Sequence, residues 1–143
     1  LVLADASYNL KDYAAADREI KLAIDYRRRL PKHTLQDERD ASDELILAAM
    51  IAARLGRPTE AQQIIEPILK FHRGLYARGN DDLSQHLQLA RALYVSALAS
   101  PGQKLAQLVE AAAIIDRMPP MMKQLKSTSL IRNDIAEETK KRG

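Results

Sequence analysis

The chain has 143 residues, enough for one domain with a substantial core, and its net charge of +3 is modest. The 22 Lys and Arg are interleaved with 19 acidic residues, and only five Tyr and one Phe are present, so the composition argues against a nucleic-acid-binding surface. Cysteine is absent, which excludes disulfides, a thiol nucleophile and a thiolate metal site, and slightly favours the cytosol.

Apolar residues recur with helical spacing and no stretch alternates as a strand would, so the sequence predicts an all-α fold. In chain order, the predicted helices cover about residues 1–10, 13–29, 37–55, 58–78, 82–100 and 104–118. An amphipathic tail follows over 119–143. Pro31 ends the second helix, because the residue before a proline is pushed out of the α region.

Capping and breaking residues set the other predicted boundaries. Thr34 with Asp37 resembles a capping arrangement at the start of the third helix. Gly56 suits the end of that helix, and Pro58 suits the first turn of the fourth. Either Asn80 or Asp81 is expected to cap the fifth helix.

The longest uncharged apolar run extends from Leu45 to Ala53. It is far shorter than the roughly 20 residues that a membrane span needs, so we expect no transmembrane segment and a buried core helix there. The opening residues, from Leu1 onward, are typical of the inside of a helix with no cap before it. We therefore expect a fragment of a longer protein.

A recurrence with a spacing of 45 residues runs through the chain. Ala16, Ala61 and Ala106 occupy equivalent positions, and apolar neighbours recur with them. A fixed period in this range is typical of stacked helical units. Predicted turns have the same spacing, and they lie at residues 11–12, 56–57 and 101–102. We expect a single domain with three stacked hairpins, over about residues 1–30, 37–78 and 82–118.

The second helix of each hairpin resembles that of the tetratricopeptide repeat. There the family has a small residue, a large apolar residue four positions later and a small residue three beyond that. Ala16, Ile20 and Ala23 match this pattern, and the other two hairpins match it at two positions of three. The resemblance implies an α-α superhelix of about three hairpins with a C-terminal capping helix. It also implies that Ala16, Ala61 and Ala106 lie at helix crossings too tight for a large side chain.

The resemblance further implies a non-catalytic protein–protein interaction or scaffolding module of a larger signalling protein, of which bacterial receptor-type kinases are an example. Such a module binds a peptide or a partner helix on a concave face formed by the first helix of each hairpin. Carried over to this sequence, the partner-binding residues are Asp43, Met50, Arg54, Gln88 and Arg91. The alternative is that Ile46 and Met50 are core, because that stretch is apolar on all sides.

No constellation of catalytic or metal-binding residues is evident. His33, His72 and His86 stand far apart and form no recognised metal motif, so we expect no metal or cofactor. His72 lies on the apolar side of its helix and is expected to be a packed residue. No serine lies in a nucleophile elbow, and no glycine-rich phosphate loop is present. We therefore expect no enzymatic activity.

Basic residues also repeat. Arg27, His72 and Arg117 are 45 residues apart, as are Arg28 and Arg73, and stacked hairpins would place them in a row along one edge. Basic residues are favoured in last helical turns, which is a sufficient structural explanation. The alternative hypothesis is a regulatory domain that senses a ligand, or that contacts an acidic partner or nucleic-acid-bound machinery, through this basic edge.

Overall fold

A computed structural model describes residues 2–31, 34–79 and 82–141. Within these ranges the chain is all-helical, without a β-strand, as the sequence predicts. The helices are α1 (Val2–Asn9), α2 (Tyr13–Arg28), α3 (Leu35–Arg54), α4 (Pro58–Ala77), α5 (Leu83–Ala99), α6 (Lys104–Asp116), α7 (Pro120–Lys123) and α8 (Lys126–Lys140). None of the helices described is long and apolar enough to cross a membrane.

The chain divides into two compact units, Leu1–Ile68 and Leu69–Gly143. The first unit contains α1, α2, α3 and the start of α4, and the second contains the end of α4 and the helices α5 to α8. The division therefore lies inside α4. Pro67, beside the division, has no backbone N–H, so α4 lacks one of its helical hydrogen bonds at this point.

In the first unit an apolar cluster joins α1, α2 and α3. Its buried members are Ala4, Ala16, Ile20, Leu47, Ala48 and Ile51, against which Tyr8, Ile24, Leu55 and Ile64 pack. The apolar run predicted as core is buried from Ile46 to Ala52. Alanines on both α2 and α3 allow the two helices to approach closely, while isoleucines fill the space between them.

The start of α3 matches its predicted capping box. The Thr34 hydroxyl accepts a hydrogen bond from the Asp37 N–H at 3.1 Å, and the Asp37 carboxylate accepts one from the Thr34 N–H at 3.1 Å. Two of the N–H groups that a helix leaves without an intrahelical partner are thereby satisfied. The predicted position of Pro58 is also confirmed, since α4 begins at that residue.

The cap of α5 differs from the prediction. Asp82 is the N-cap, and its carboxylate accepts a hydrogen bond from the Gln85 N–H at 2.9 Å. Asn80 and Asp81, which the sequence suggested, lie outside the described residues. Three adjacent residues at 80–82 can all act as caps, so local chemistry alone does not choose among them.

The tail folds against the hairpin that precedes it. After the short helix α7, α8 packs against both α5 and α6. Ile131 and Ile135, one turn apart, are the buried apolar residues of α8. Lys104 at the start of α6 forms an ion pair with Glu138 of α8, with 2.8 Å between Nζ and Oε2. Apolar packing and this ion pair together hold α8 in the second unit.

The ends of the first helices repeat at the predicted spacing. α1, α3 and α5 end at Asn9, Arg54 and Ala99, which are 45 residues apart. Lys11 and Gly56 lie at equivalent positions just after α1 and α3. Both have a positive φ, 61° at Lys11 and 74° at Gly56. Both are therefore left-handed residues that end a helix.

Hydrogen bonds show that these two turns are the same motif. The Asp12 N–H donates to the Ser7 carbonyl at 2.9 Å, and the Arg57 N–H donates to the Ala52 carbonyl at 2.9 Å. Each bond joins a residue to the carbonyl five positions before it, as in a Schellman motif. The second helix of the hairpin begins directly afterwards in both cases.

The third turn is longer by one residue. Pro101 occupies the position equivalent to Lys11 and Gly56, and a proline ring holds φ near −65°. The left-handed turn is therefore impossible there, and the chain forms a 3-10 turn over Pro101–Gln103 instead. As a result α6 begins at Lys104, 46 residues after Pro58.

This extra residue corrects one expectation. Ala16 and Ala61 are fully buried, as predicted for tight helix crossings, but Ala106 is exposed. Gln107 is buried in its place, and its Nε2 donates a hydrogen bond to the Ser96 hydroxyl at 2.8 Å. A helix that begins one residue late turns its sequence by about 100° relative to its neighbours, which moves Ala106 off the packed face.

Candidate partner-binding surface

Three predicted partner-binding residues lie on α3. Asp43, Met50 and Arg54 are separated by seven and four residues, which places them on one face of the helix. Asp43 and Arg54 are half-buried, whereas Met50 is buried. Arg54 lies in the last turn, where its Nε donates a hydrogen bond to the Tyr8 hydroxyl at 3.2 Å. Asp43 and Arg54 are thus the members of this set that solvent reaches.

The other two predicted residues lie on α5, in the second unit. Gln88 and Arg91 are three residues apart and share one helix face. Gln88 is buried and Arg91 is half-buried. The structure therefore brings the five residues together as two sets, one in each unit, with one accessible arginine in each set.

The residues between the accessible positions of α3 belong to the core. Ile46 is fully buried and Met50 nearly so, which confirms the alternative interpretation of this pair. The helix is apolar on all sides here because it packs on more than one neighbour. Polar side chains remain only towards the ends of this face, at Asp43 and Arg54.

The repeated basic residues do not form a row of equivalent cations. Arg27 is half-buried and pairs with the buried carboxylate of Glu44. His72 is fully buried, as expected of a packed residue, and the Gln85 side-chain amide donates to its backbone carbonyl at 3.1 Å. Arg117 is exposed. These three residues are equivalent in the 45-residue pattern but have three different environments. The prediction of a uniform row of basic residues along one edge is therefore wrong.

Some of these cations nevertheless line a groove in the first unit. The groove has a volume of about 350 Å³ and lies between α2, α3 and α4. Arg28 lies on its wall with Lys21 and Asp25, and Ile24 and Leu45 supply apolar surface. Arg28 is exposed and forms no ion pair with any residue that the structure describes.

A second groove lies in the second unit, among α4, α5 and α6. Its volume is about 290 Å³, and Arg73, Arg117 and Tyr76 are among its lining residues. Arg73 is held by Glu110, with 2.6 Å between Nη2 and Oε1. The sequence did not predict these grooves, although the 45-residue spacing of Arg28 and Arg73 was a signal for them.

One carboxylate with a shifted pKa, that of Glu138, lies away from both grooves. Burial alone would raise the pKa of Glu138, but hydrogen bonds and charges from Lys104 and Lys141 outweigh it and lower that pKa below its ordinary value. Lys104 contacts the carboxylate at 2.8 Å and Lys141 at 2.9 Å. Each oxygen of this carboxylate thus contacts a lysine, and the contact with Lys104 joins α8 to α6.

Across residues 2–31, 34–79 and 82–141, no three His, Asp or Glu side chains come close enough to hold a metal ion. His33 lies outside these ranges. Searches against protein-family models, curated proteins and solved structures find no match to this chain.

Proposed function

We propose that the chain is a non-catalytic protein–protein interaction module, a tetratricopeptide-like array of helix hairpins within a larger signalling protein, that binds a peptide or partner helix. The observation that carries this proposal is the recurrence of helix ends and turn geometry at a spacing of 45 residues. Repeated helix hairpins present extended surfaces, and binding of other macromolecules is the usual role of such surfaces.

The contacts to a partner are proposed to come from Asp43, Arg54 and Arg91. These side chains are half-buried, so part of each is accessible while packing limits its conformations. A restrained side chain loses less conformational entropy on binding than a free one. Charges of both signs on the first helices would suit a peptide that carries both, and the buried Met50 and Gln88 would support the surface from within.

The test selects peptides first and then maps their site. A phage library of random 20-residue peptides is selected on the immobilised chain, and the affinity of the best synthetic peptide is measured by calorimetry. Arg54→Glu and Arg91→Glu, made separately, are each expected to weaken binding about tenfold, which corresponds to about 1.4 kcal/mol. Arg28→Glu and Arg73→Glu serve as matched charge controls and are expected to change affinity little.

The grooves support a second candidate function. Arg28 in the first unit and Arg73 with Arg117 in the second line concave surfaces with apolar walls. Such surfaces would suit acidic side chains of a partner, as the alternative hypothesis requires. If Arg28→Glu and Arg73→Glu weaken binding while Arg54→Glu and Arg91→Glu do not, and if affinity falls steeply with added salt, the grooves replace the first-helix face as the binding site.

A further inference from the structure

The groove in the first unit has an apolar middle to which three helices contribute. Ile24 of α2, Leu45 of α3 and Ile64 of α4 all line it, and each of these side chains is only half-buried. Ala48 of α3 adds a small side chain that leaves space beside them. The volume of about 350 Å³ lies within the range of small-molecule sites. An apolar ligand that covered these side chains would remove apolar surface from water, which is favourable.

The order of residues along α2 gives the groove two charged ends. The lining residues Asp17, Lys21, Ile24 and Arg28 follow one another at spacings of four, three and four, so they share one side of the helix. Ile24 lies between the two cations. Lys21 and Arg28 are seven residues apart, which corresponds to about 10 Å along the helix axis. The apolar middle therefore has the length of a short alkyl chain.

At the Lys21 end the charges neutralise one another. Lys21 Nζ lies 3.0 Å from Asp17 Oδ2 and 3.8 Å from Glu60 Oε1. Arg57 Nη1, beside this end, lies 3.4 Å from Asp17 Oδ2 and 3.7 Å from Glu60 Oε2. Two cations thus face two carboxylates. A charged group of a ligand would have to compete with these internal ion pairs, so this end does not favour an ion of either sign.

The other end has an excess of positive charge. Arg28 is exposed there and forms no ion pair with a described residue. Asp25 also lines this end, but Arg29 holds its carboxylate, with 2.8 Å between Nη2 and Oδ2. Arg27 is paired with Glu44 in the same way. The charge of Arg28 is therefore available to an anionic group of a ligand.

The walls favour an alkyl chain over a polypeptide. Ile24, Leu45 and Ile64 have no hydrogen-bonding side-chain group, so an extended peptide would leave the backbone groups that face them without partners. A partner α-helix satisfies its backbone groups internally, but its diameter of about 10 Å is too large for a groove of this volume. An alkyl chain with a terminal carboxylate needs a polar partner only at Arg28.

We propose that this groove binds a free carboxylic acid, as its anion, with an alkyl chain of medium length. The chain lies against Ile24, Leu45 and Ile64, and the carboxylate pairs with Arg28. The proposal goes beyond protein–protein interaction and does not depend on a peptide bound at Arg54 or Arg91. The two sites can therefore fail or succeed separately.

The probe is octanoate, and its binding to the whole chain is measured by isothermal titration calorimetry. Octanoate is expected to bind at least tenfold more tightly than butanoate, because the shorter chain covers less of the apolar middle. Octan-1-ol and octylammonium lack the negative charge and are each expected to bind at least fivefold more weakly than octanoate. The preference for octanoate over octan-1-ol is expected to shrink in 0.5 M salt.

The site is mapped with variants of the chain. Arg28→Gln is expected to weaken octanoate binding at least fivefold and to leave octan-1-ol binding unchanged. Arg18→Gln, at an exposed arginine of α2 that does not line the groove, is the matched control and is expected to have no effect. Ile64→Asn puts a polar group in the apolar middle and is expected to weaken both ligands. Ile64 also packs on the core, so thermal melting verifies folding, and the exposed Arg28 provides the test that does not depend on it.

Three outcomes would overturn the proposal. Equal affinities of octanoate and octan-1-ol would show that the groove does not recognise a carboxylate. Equal octanoate binding by Arg28→Gln and by the unchanged chain would place the ligand elsewhere. Absence of octanoate binding, together with a selected peptide whose binding requires Arg28, would make a partner protein the occupant of the groove.

Discussion

Glu138 shows how a buried charge becomes a structural contact. Its carboxylate accepts hydrogen bonds from Lys104 of α6 and from Lys141 at the end of α8, which lowers its pKa despite burial. A carboxylate whose pKa is lower in the folded state stabilises the fold above the ordinary glutamate pKa of about 4.3. That contribution is lost as the pH falls through the lower pKa of the folded state.

We expect Glu138→Gln to lower the free energy of unfolding at pH 7 by about 1–2 kcal/mol, because two hydrogen bonds lose their charge. The difference from the unchanged chain should shrink as the pH falls through the lowered pKa of Glu138, where the native carboxylate also becomes protonated. Urea unfolding at pH 7 and at pH 3 measures both values. Glu137→Gln is the control, since Glu137 is exposed and its ion pair with Lys140 spans 3.8 Å. A constant deficit at all pH values would contradict the electrostatic explanation.

Lys11 and Gly56 occupy the same position in two equivalent turns, but only Gly56 is a glycine. A left-handed conformation costs a residue with a Cβ about 1–2 kcal/mol, whereas glycine adopts it freely. The positive φ at Lys11 therefore opposes folding. At Gly56 an added Cβ would meet no atom within 4 Å, so any cost there belongs to the backbone.

We therefore expect Lys11→Gly to raise the free energy of unfolding by about 0.5–1 kcal/mol, after allowance for the greater freedom of glycine in the unfolded chain. Gly56→Ala is expected to lower it by about 1 kcal/mol for the same reason. Denaturant titrations of both variants measure the two changes. Changes of the same sign in the two variants would show that the turns are not equivalent.

At the scale of the helix, a single residue in a turn decides which face of α6 is buried. The sequence correctly predicts where the helices end, because proline, glycine and capping residues act locally. It predicts the packed face of α2 and α4 but not that of α6. The register of α6 depends on whether the chain can form a left-handed turn at Pro101, and the change from a three-residue to a four-residue turn is not visible in the 45-residue pattern.

This difference in register predicts opposite results for two alanines that the period makes equivalent. Ala61→Leu is expected to lower the free energy of unfolding by about 1–3 kcal/mol, because Ala61 is fully buried and a larger side chain overpacks the site. Ala106→Leu is expected to change it by less than about 0.5 kcal/mol, since Ala106 is exposed. Thermal unfolding compares the two variants. A large loss in the free energy of unfolding of Ala106→Leu would contradict this register and show that α6 packs as the 45-residue period implies.

At the scale of the whole molecule, the two units have their own packed interiors. In the second unit α8 contacts both α5 and α6, and Ile135 is one of its buried residues. Regions with separate packing often open separately in native-state exchange. A defect placed in α8 should therefore affect the second unit most.

We expect Ile135→Ala to cost about 2–4 kcal/mol through the cavity that it leaves. Amide hydrogen exchange followed by mass spectrometry should then be faster in α5, α6 and α8 and unchanged in α1, α2 and α3. Leu130→Ala, on the exposed side of the same helix, is the control and should leave exchange unaltered. Equal acceleration in both units would mean that the chain opens as one cooperative body.

The candidate site was predictable only in part, for the same reason as the fold. Helical periodicity placed Asp43 and Arg54 on one face, since the geometry of a helix follows from the chain itself. Burial of Met50 and Gln88 depends on neighbouring helices that periodicity does not describe. The grooves lined by Arg28 and Arg73 likewise arise where separate helices meet.

By itself the sequence determined the all-α class, the approximate limits of α1 to α6 and the first two turns, because these depend on interactions between residues close along the chain. Tertiary structure alone decided the register of α6, the separate environments of Arg27, His72 and Arg117, and the division of the chain inside α4. Those properties arise from packing between residues that are distant in sequence, where one residue more or less in a turn changes which side chains meet.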